Sequence, residues 1–176
     1  ARFEFIRGEW RVYYKDLTQP GETIQADPNL TSFSIGAVNV EENDQRTPIK
    51  YEIPPGIVRE IDPSQTYQRQ LNEQSLTLNV CNLNDGDARA AYKNVQFDVR
   101  TYKKMKMFVH AEEVLPTSPL NDEDVTLFVR LGTDFEDNYY EYEMPLYTTQ
   151  WGSTSAENIW PSTNDVEIEF DNLLDL

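Results

Sequence analysis

Apolar residues fall on every second position in one short run after another, and that period limits what this chain can fold into more than any other feature. The runs are "RVYYK" near the start, "SFSIGAVNV" at 32–40, "LTLNV" at 76–80, "VQFDV" at 95–99, "MKMFVHA" at 105–111, "VTLFVRL" at 125–131, "YYEYEMPL" at 139–146 and "VEIEF" at 166–170. A strand turns successive side chains to opposite faces, so a period of two marks a strand with one face in a core. Between the runs stand "QPGE", "ADPN", "EEND", "PPG", "NDGD", "LPTSPLNDED" and "TDFEDN", which supply the Gly, Pro, Asn and Asp that turns need. Long helices have little room. The best helical candidate is "GDARAAYKN", where Asp87 stands ready to cap a short turn. Many short strands with turn signals at roughly 8–12 residue spacing predict a mainly-β fold, an antiparallel two-sheet β-sandwich of jelly-roll type with few short helical turns. No repeat, low-complexity tract or Pro/Gly/Ser linker divides the chain, so residues 1–176 are expected to form one domain.

Alternation also assigns faces. In 139–146, Tyr140, Tyr142, Met144 and Leu146 share the core side, and Tyr139, Glu141, Glu143 and Pro145 the solvent side. The same rule buries Val125, Leu127, Val129 and Leu131, and likewise Met105, Met107, Val109 and Ala111. Outward then lie Lys104, Lys106, Phe108 and His110 on one strand, and Thr126, Phe128 and Arg130 on another. The basic groups come within cross-strand reach of Glu141 and Glu143, where exposed pairs contribute about 0–1 kcal/mol each. If those two strands are neighbours, Phe108 and Phe128 make a small apolar patch. Either another segment, such as "GIVREIDPSQTY" at 56–67, packs over it, or the two rings dock a partner. Loop aromatics near Tyr147, Trp151 and Trp160 allow sugar stacking, core lids or interface anchors. Phe108, Phe128, Tyr147 and Trp151 are thus the candidate interaction surface.

Charge and chemistry narrow the function. A formal charge of -16, from 31 acidic against 15 basic residues, disfavours nucleic acid and anionic membrane as partners, because phosphate neutralisation needs clustered Lys and Arg. A single cysteine, Cys81, rules out an internal disulfide and any Cys-rich zinc site. The chain begins at Ala1 without an apolar signal segment and has no run of roughly 18 apolar residues, so it is expected to be a processed chain or a piece of a longer one that does not itself enter the membrane. His110 is the lone histidine, which leaves triads and His-rich metal sites without companions and reads as a surface or edge residue. Asp134, Glu136 and Asp137 in "TDFEDN" read as a solvated loop rather than a glycosidase pair. Setting Gly86 at the sixth position of a calcium loop places Cys81, Leu83 and Asp85 at positions one, three and five and Tyr92 where a bidentate Glu is required, so the EF-hand reading fails. A jelly-roll-type structural calcium held by backbone carbonyls stays open, and otherwise no cofactor is expected. No GxGxxG, GxxxxGK[ST], HExxH or GxSxG occurs, and an enzyme is not expected.

Several stretches resemble one family: "VNVEENDQRTPIKYEIPPGIVREID", "QLNEQSLTLNV", "GDARAAYKN", "DVRTYKKMKMFVHAE", "DVTLFVRLGTDFEDNYYEYEMPL" and "NIWPSTNDVEIEFDNLLDL". In order and wording they are similar to the SprA/Sov family, the giant outer-membrane translocon of the type IX secretion system of Bacteroidota, which also serves gliding motility. The resemblance runs from about residue 38 onward and is thin from Gly21 to Leu30. It implies a giant barrel in a Gram-negative outer membrane, exporting folded cargo, with large soluble insertions. This chain lacks the long series of roughly ten-residue lipid-facing strands of such a barrel, so a soluble insertion is expected, with the extracellular side favoured over the periplasmic although the sequence does not fix the side. The partners it implies are the remainder of the barrel, accessory outer-membrane subunits and type IX cargo. The reading that follows is a scaffold or contact surface for export. A carbohydrate-binding module is the alternative, and an enzyme comes third.

Overall fold

A computed structural model of the chain describes residues 10–17, 31–64, 67–95, 98, 101–115 and 119–174. The strands are β1 (Arg11–Val12), β2 (Ser32–Asn39), β3 (Gln74–Cys81), β4 (Ala91–Tyr92), β5 (Lys104–Met107), β6 (Thr126–Gly132), β7 (Tyr139–Pro145) and β8 (Val166–Glu169). Short helices α1 (Ala156–Ile159) and α2 (Phe170–Leu174) flank the last strand, with a 3-10 turn at Ser162–Asn164. The strands pair as two-stranded ribbons, β1 with β4, β2 with β3, β5 with β8 and β6 with β7. The fold is therefore mainly β, with antiparallel ribbons and few short helices. The chain separates into two compact units, one of Ala1–Ala37 with Ser75–Phe97, the other of Val38–Gln74 with Asp98–Leu176. The "QPGE" and "ADPN" turns and most of the "VQFDV" run lie outside the described residues.

In the second unit the pairing is nested: β6 and β7 form a hairpin, and β5 and β8 pair around it in sequence. The β6–β7 register runs from Thr126 opposite Pro145 to Gly132 opposite Tyr139. Gly132 sits where a Cβ would lie 2.1 Å from the Asn138 carbonyl oxygen, so the hairpin closes only with glycine there. The β5–β8 register sets Met105 opposite Ile168 and Met107 opposite Val166. Met144, Val166 and Ile168 are buried together, with Met105, Val109, Leu127, Val129 and Tyr142 packed around them. Two ribbons thus share one core, the arrangement of a β-sandwich. Fully burying a residue of this size contributes about 1.5–3 kcal/mol.

Two expected core residues are open to solvent, Met107 at 38% and Tyr140 at 41% exposure. Both lie near ribbon ends, Met107 as the last residue of β5 and Tyr140 as the second residue of β7. Beyond Met107 the chain leaves the ladder, and Phe108 packs against a second core of Ile49, Tyr51, Ile159 and Trp160, together with Val38 and Val40. Trp160 ties this core to the backbone, its indole N–H donating to the Glu52 carbonyl at 2.8 Å. Asn164, 0% exposed, joins the exit of β7 to the entry of β8. Its Oδ1 accepts from Tyr147 N–H and its Nδ2 donates to Tyr147 O, each at 2.8 Å. One amide does there what a strand neighbour would do.

In the first unit, "GDARAAYKN" is not helical. Ala91 and Tyr92 pair with Val12 and Arg11, and Tyr13 N–H donates to Ala90 O at 2.8 Å. The Asp87 carboxylate turns to the Ala88 N–H, Arg89 and Thr31 rather than capping a helix. A strand partner outweighed weak helical propensity. Gly86 takes φ +75° in the preceding turn, as "NDGD" requires. In β3 the expected apolar face exists, but Leu76, Leu78 and Val80 remain about two-fifths exposed.

Among the described residues no helix is long and apolar enough to cross a membrane. Replacing Asn164 with Leu should leave the Tyr147 N–H and C=O buried without partners, each costing about 1–3 kcal/mol. Urea denaturation should show a loss of at least about 2 kcal/mol. A loss below about 0.5 kcal/mol would mean that the amide does not hold the two ribbons in place.

Candidate interaction surface

Phe108 and Phe128 are not on neighbouring strands, because β5 pairs with β8 and β6 with β7. Phe108 belongs to the core, with its ring edge-on to Trp160 at 6.5 Å between centroids. The expected two-ring patch does not form. Phe108 packs against Trp160 and its core neighbours Ile49, Tyr51 and Ile159.

Phe128 does face outward with Arg130, as alternation requires, but it is half-buried. The Arg130 guanidinium lies 5.3 Å from the Phe128 centroid and 4.2 Å from that of Tyr139. It is anchored by the Glu141 carboxylate opposite, at 2.5 Å, and by the Phe135 carbonyl at 2.8 Å. A cation stacked on two rings covers apolar surface that a partner would otherwise want. The expected Arg130–Glu141 pair therefore forms, whereas Lys104 and Lys106 bind Glu167, with Lys106 at 2.7 Å. They meet β8 glutamates rather than Glu141 or Glu143 because β8 is the neighbour of β5.

Tyr147 is held at its backbone by Asn164, and its hydroxyl donates to Glu123 at 2.6 Å. That bond raises the phenol pKa, since losing the proton would leave two anions face to face. Trp151 is 43% exposed, and its indole N–H donates to the Glu113 carbonyl at 3.0 Å. Val114 and Leu115, both 63% exposed, follow that carbonyl directly. Trp151 with Val114 and Leu115 is the apolar group that solvent reaches in this region. Of these, Trp151 is a candidate from the sequence, whereas Leu115 opens the "LPTSPLNDED" turn and Val114 stands in no marked pattern. A second exposed apolar series, Ile57, Val58, Ile61, Tyr67 and Leu71, lies on an arm closed by the Ile61–Gln70 bridge and by Asp62 N–H donating to Arg69 O. Its signal was legible in "GIVREIDPSQTY".

The groups read for chemistry serve structure. The Asp134 carboxylate accepts from the N–H groups of Glu136, Asp137 and Asn138 and from the Asn138 side chain. These bonds hold its pKa well below the usual carboxylate range. His110 is not a surface residue. Its side chain is 17% exposed, and its Nδ1 lies 2.7 Å from the Ile159 carbonyl. Trp160, read as a loop aromatic, is core. Among the described residues no group of three or more His, Cys, Asp or Glu is placed to hold a metal ion.

The whole chain, residues 1–176, matches the SprA_N family model, described as a motility related/secretion protein. No curated protein matches it.

Substituting Ser at the two phenylalanines should separate their roles. Phe108→Ser opens the Trp160 core and should cost about 2–4 kcal/mol by thermal or urea denaturation. Phe128→Ser, on a face already capped by Arg130, should cost under about 1 kcal/mol. Equal losses would contradict the assignment of Phe108 to the core.

Proposed function

The chain belongs to the SprA_N family of motility-related and secretion proteins, and from that premise we propose that it serves as a non-catalytic, jelly-roll-like domain of a type IX secretion outer-membrane translocon. It acts as a scaffold or contact surface through which folded cargo and accessory subunits meet the barrel. The observation that carries this reading is the family match over all 176 residues. Two further features support it. The polar clusters are engaged in loops and cross-strand pairs rather than gathered around a reacting centre. Trp151, Val114 and Leu115, and the 57–71 arm, are among the places where large apolar side chains stay exposed, and rigid aromatic anchors such as Trp151 are what partner recognition favours. The net charge of -16 selects neutral or basic protein surfaces over phosphate-rich ones. The domain works at a Gram-negative outer membrane, on the cell-surface side, without a cofactor and without inserting into the bilayer itself.

Deleting residues 1–176 from the parent protein, with barrel abundance checked on intact outer membranes, should reduce surface delivery of type IX cargo. Normal delivery at normal barrel abundance would reject the scaffold role. A finer variant, Trp151→Ala with Val114→Ser and Leu115→Ser, should leave the melting temperature within about 6 °C while lowering delivery several-fold. Surface apolar-to-polar changes of this kind shift stability by only about 0.5 kcal/mol each.

A further inference from the structure

The only histidine of the sequence stands among buried polar groups at the edge of the Trp160 core. The Ile159 carbonyl at 2.7 Å can only accept, so His110 Nδ1 carries a hydrogen in both charge states. The Thr149 hydroxyl, 3.1 Å from Nδ1, donates to the same carbonyl at 3.4 Å. The neutral ring therefore leaves Nε2 without a hydrogen, 3.3 Å from Glu112 Oε2. Both atoms are buried and neither has a hydrogen-bond partner. Two acceptors facing each other away from water form an unfavourable pair. The other Glu112 oxygen binds the Arg46 guanidinium, and Arg46 donates in turn to the Ile49 carbonyl at 2.8 Å.

We infer that His110 and Glu112 form a single-proton site, an acid-responsive latch in the Trp160 core. A proton taken from solvent onto Nε2 turns the opposed acceptors into an ion pair. It completes a chain of contacts from the 46–49 loop through Arg46, Glu112 and His110 to the end of α1. The charged groups facing the ring are Arg46 from that loop and Glu112 from its own segment. The 147–149 segment and α1 present a hydroxyl and a carbonyl, and Trp160 presents its ring at 5.8 Å.

Burial holds the imidazole pKa below its ordinary value, the Ile159 bond opposes this, and Arg46 adds to the lowering. Uptake therefore occurs below about pH 6.5, the value of a free histidine. Below that pH the unfolded chain binds the proton more readily than the folded one. The stability from this site is complete above about pH 6.5 and falls as pH drops toward the folded midpoint.

With a single histidine, nitrogen NMR of the intact 176-residue chain reads the site directly. At pH 8 the ring should be the Nδ1–H tautomer, and acidification should place one proton on Nε2 with a midpoint below that of the unfolded chain. Glu112→Gln, which removes the proton's anionic partner, should lower the proton affinity about tenfold further. Arg46→Met should raise it. An Nε2–H tautomer at pH 8, a midpoint at or above that of the unfolded chain, or a midpoint unmoved by Glu112→Gln would overturn the proposal. If a variant does not fold, the wild-type tautomer and midpoint decide alone.

Discussion

A two-stranded ribbon has no further sheet mates to stiffen it and cannot cover its own apolar face, so each ribbon must find cover elsewhere. In the second unit β5–β8 and β6–β7 solve this for each other, with Met144, Val166 and Ile168 buried between them. Nested pairing makes the solution possible. Because β8 returns to β5 after the β6–β7 hairpin, the sequence-distant residues Met105 and Ile168 sit opposite each other. The cost of that geometry falls where the chain passes from one ribbon to the other, since backbone groups leaving β7 have no strand beside them. Asn164 meets both of them with one side chain, and an amide is the side chain that can accept and donate at the same place.

The second core depends on the first. Once β5 stops at Met107, the chain is free to turn Phe108 and His110 toward Trp160. Trp160 is positioned by the short helix α1, whose first turn is capped by the Ser155 side chain. A tryptophan fits here because its ring is large enough to meet Tyr51, Phe108 and His110 while its N–H reaches the Glu52 carbonyl. Filling this core brings the Arg46–Glu112 ion pair and His110 into a space with little water. Charged groups there interact strongly and are expensive to leave unpartnered.

This arrangement bears on function by relocating what a partner can reach. Phe108 is spent on the core and Phe128 is capped by Arg130, so the β6–β7 face offers a charged surface instead of an apolar one. Trp151, Val114 and Leu115 are among the apolar side chains that stay exposed.

Period-two alternation is a local property, because each residue's face follows from its neighbours in the strand. For that reason the sequence alone determined the mainly-β class, most strand positions, and the inward sides of β6, β7 and β8. Val129, Tyr142, Met144, Val166 and Ile168 sit where alternation put them. The turns at "PPG" and "NDGD" were equally legible, since Gly56 and Gly86 take positive φ that other residues resist. Which strand pairs with which is a different matter, because nothing in "MKMFVHA" specifies a neighbour some sixty residues away. Tertiary structure alone decided that β5 meets β8, and with it where the alternation of β5 ends. It turned the Phe108 and His110 side chains inward, drew Ala91 and Tyr92 into a strand, and set an Asn164 amide to satisfy Tyr147. The physical reason is that burial depends on what covers a face, and a strand's sequence records which face is apolar but not what will cover it.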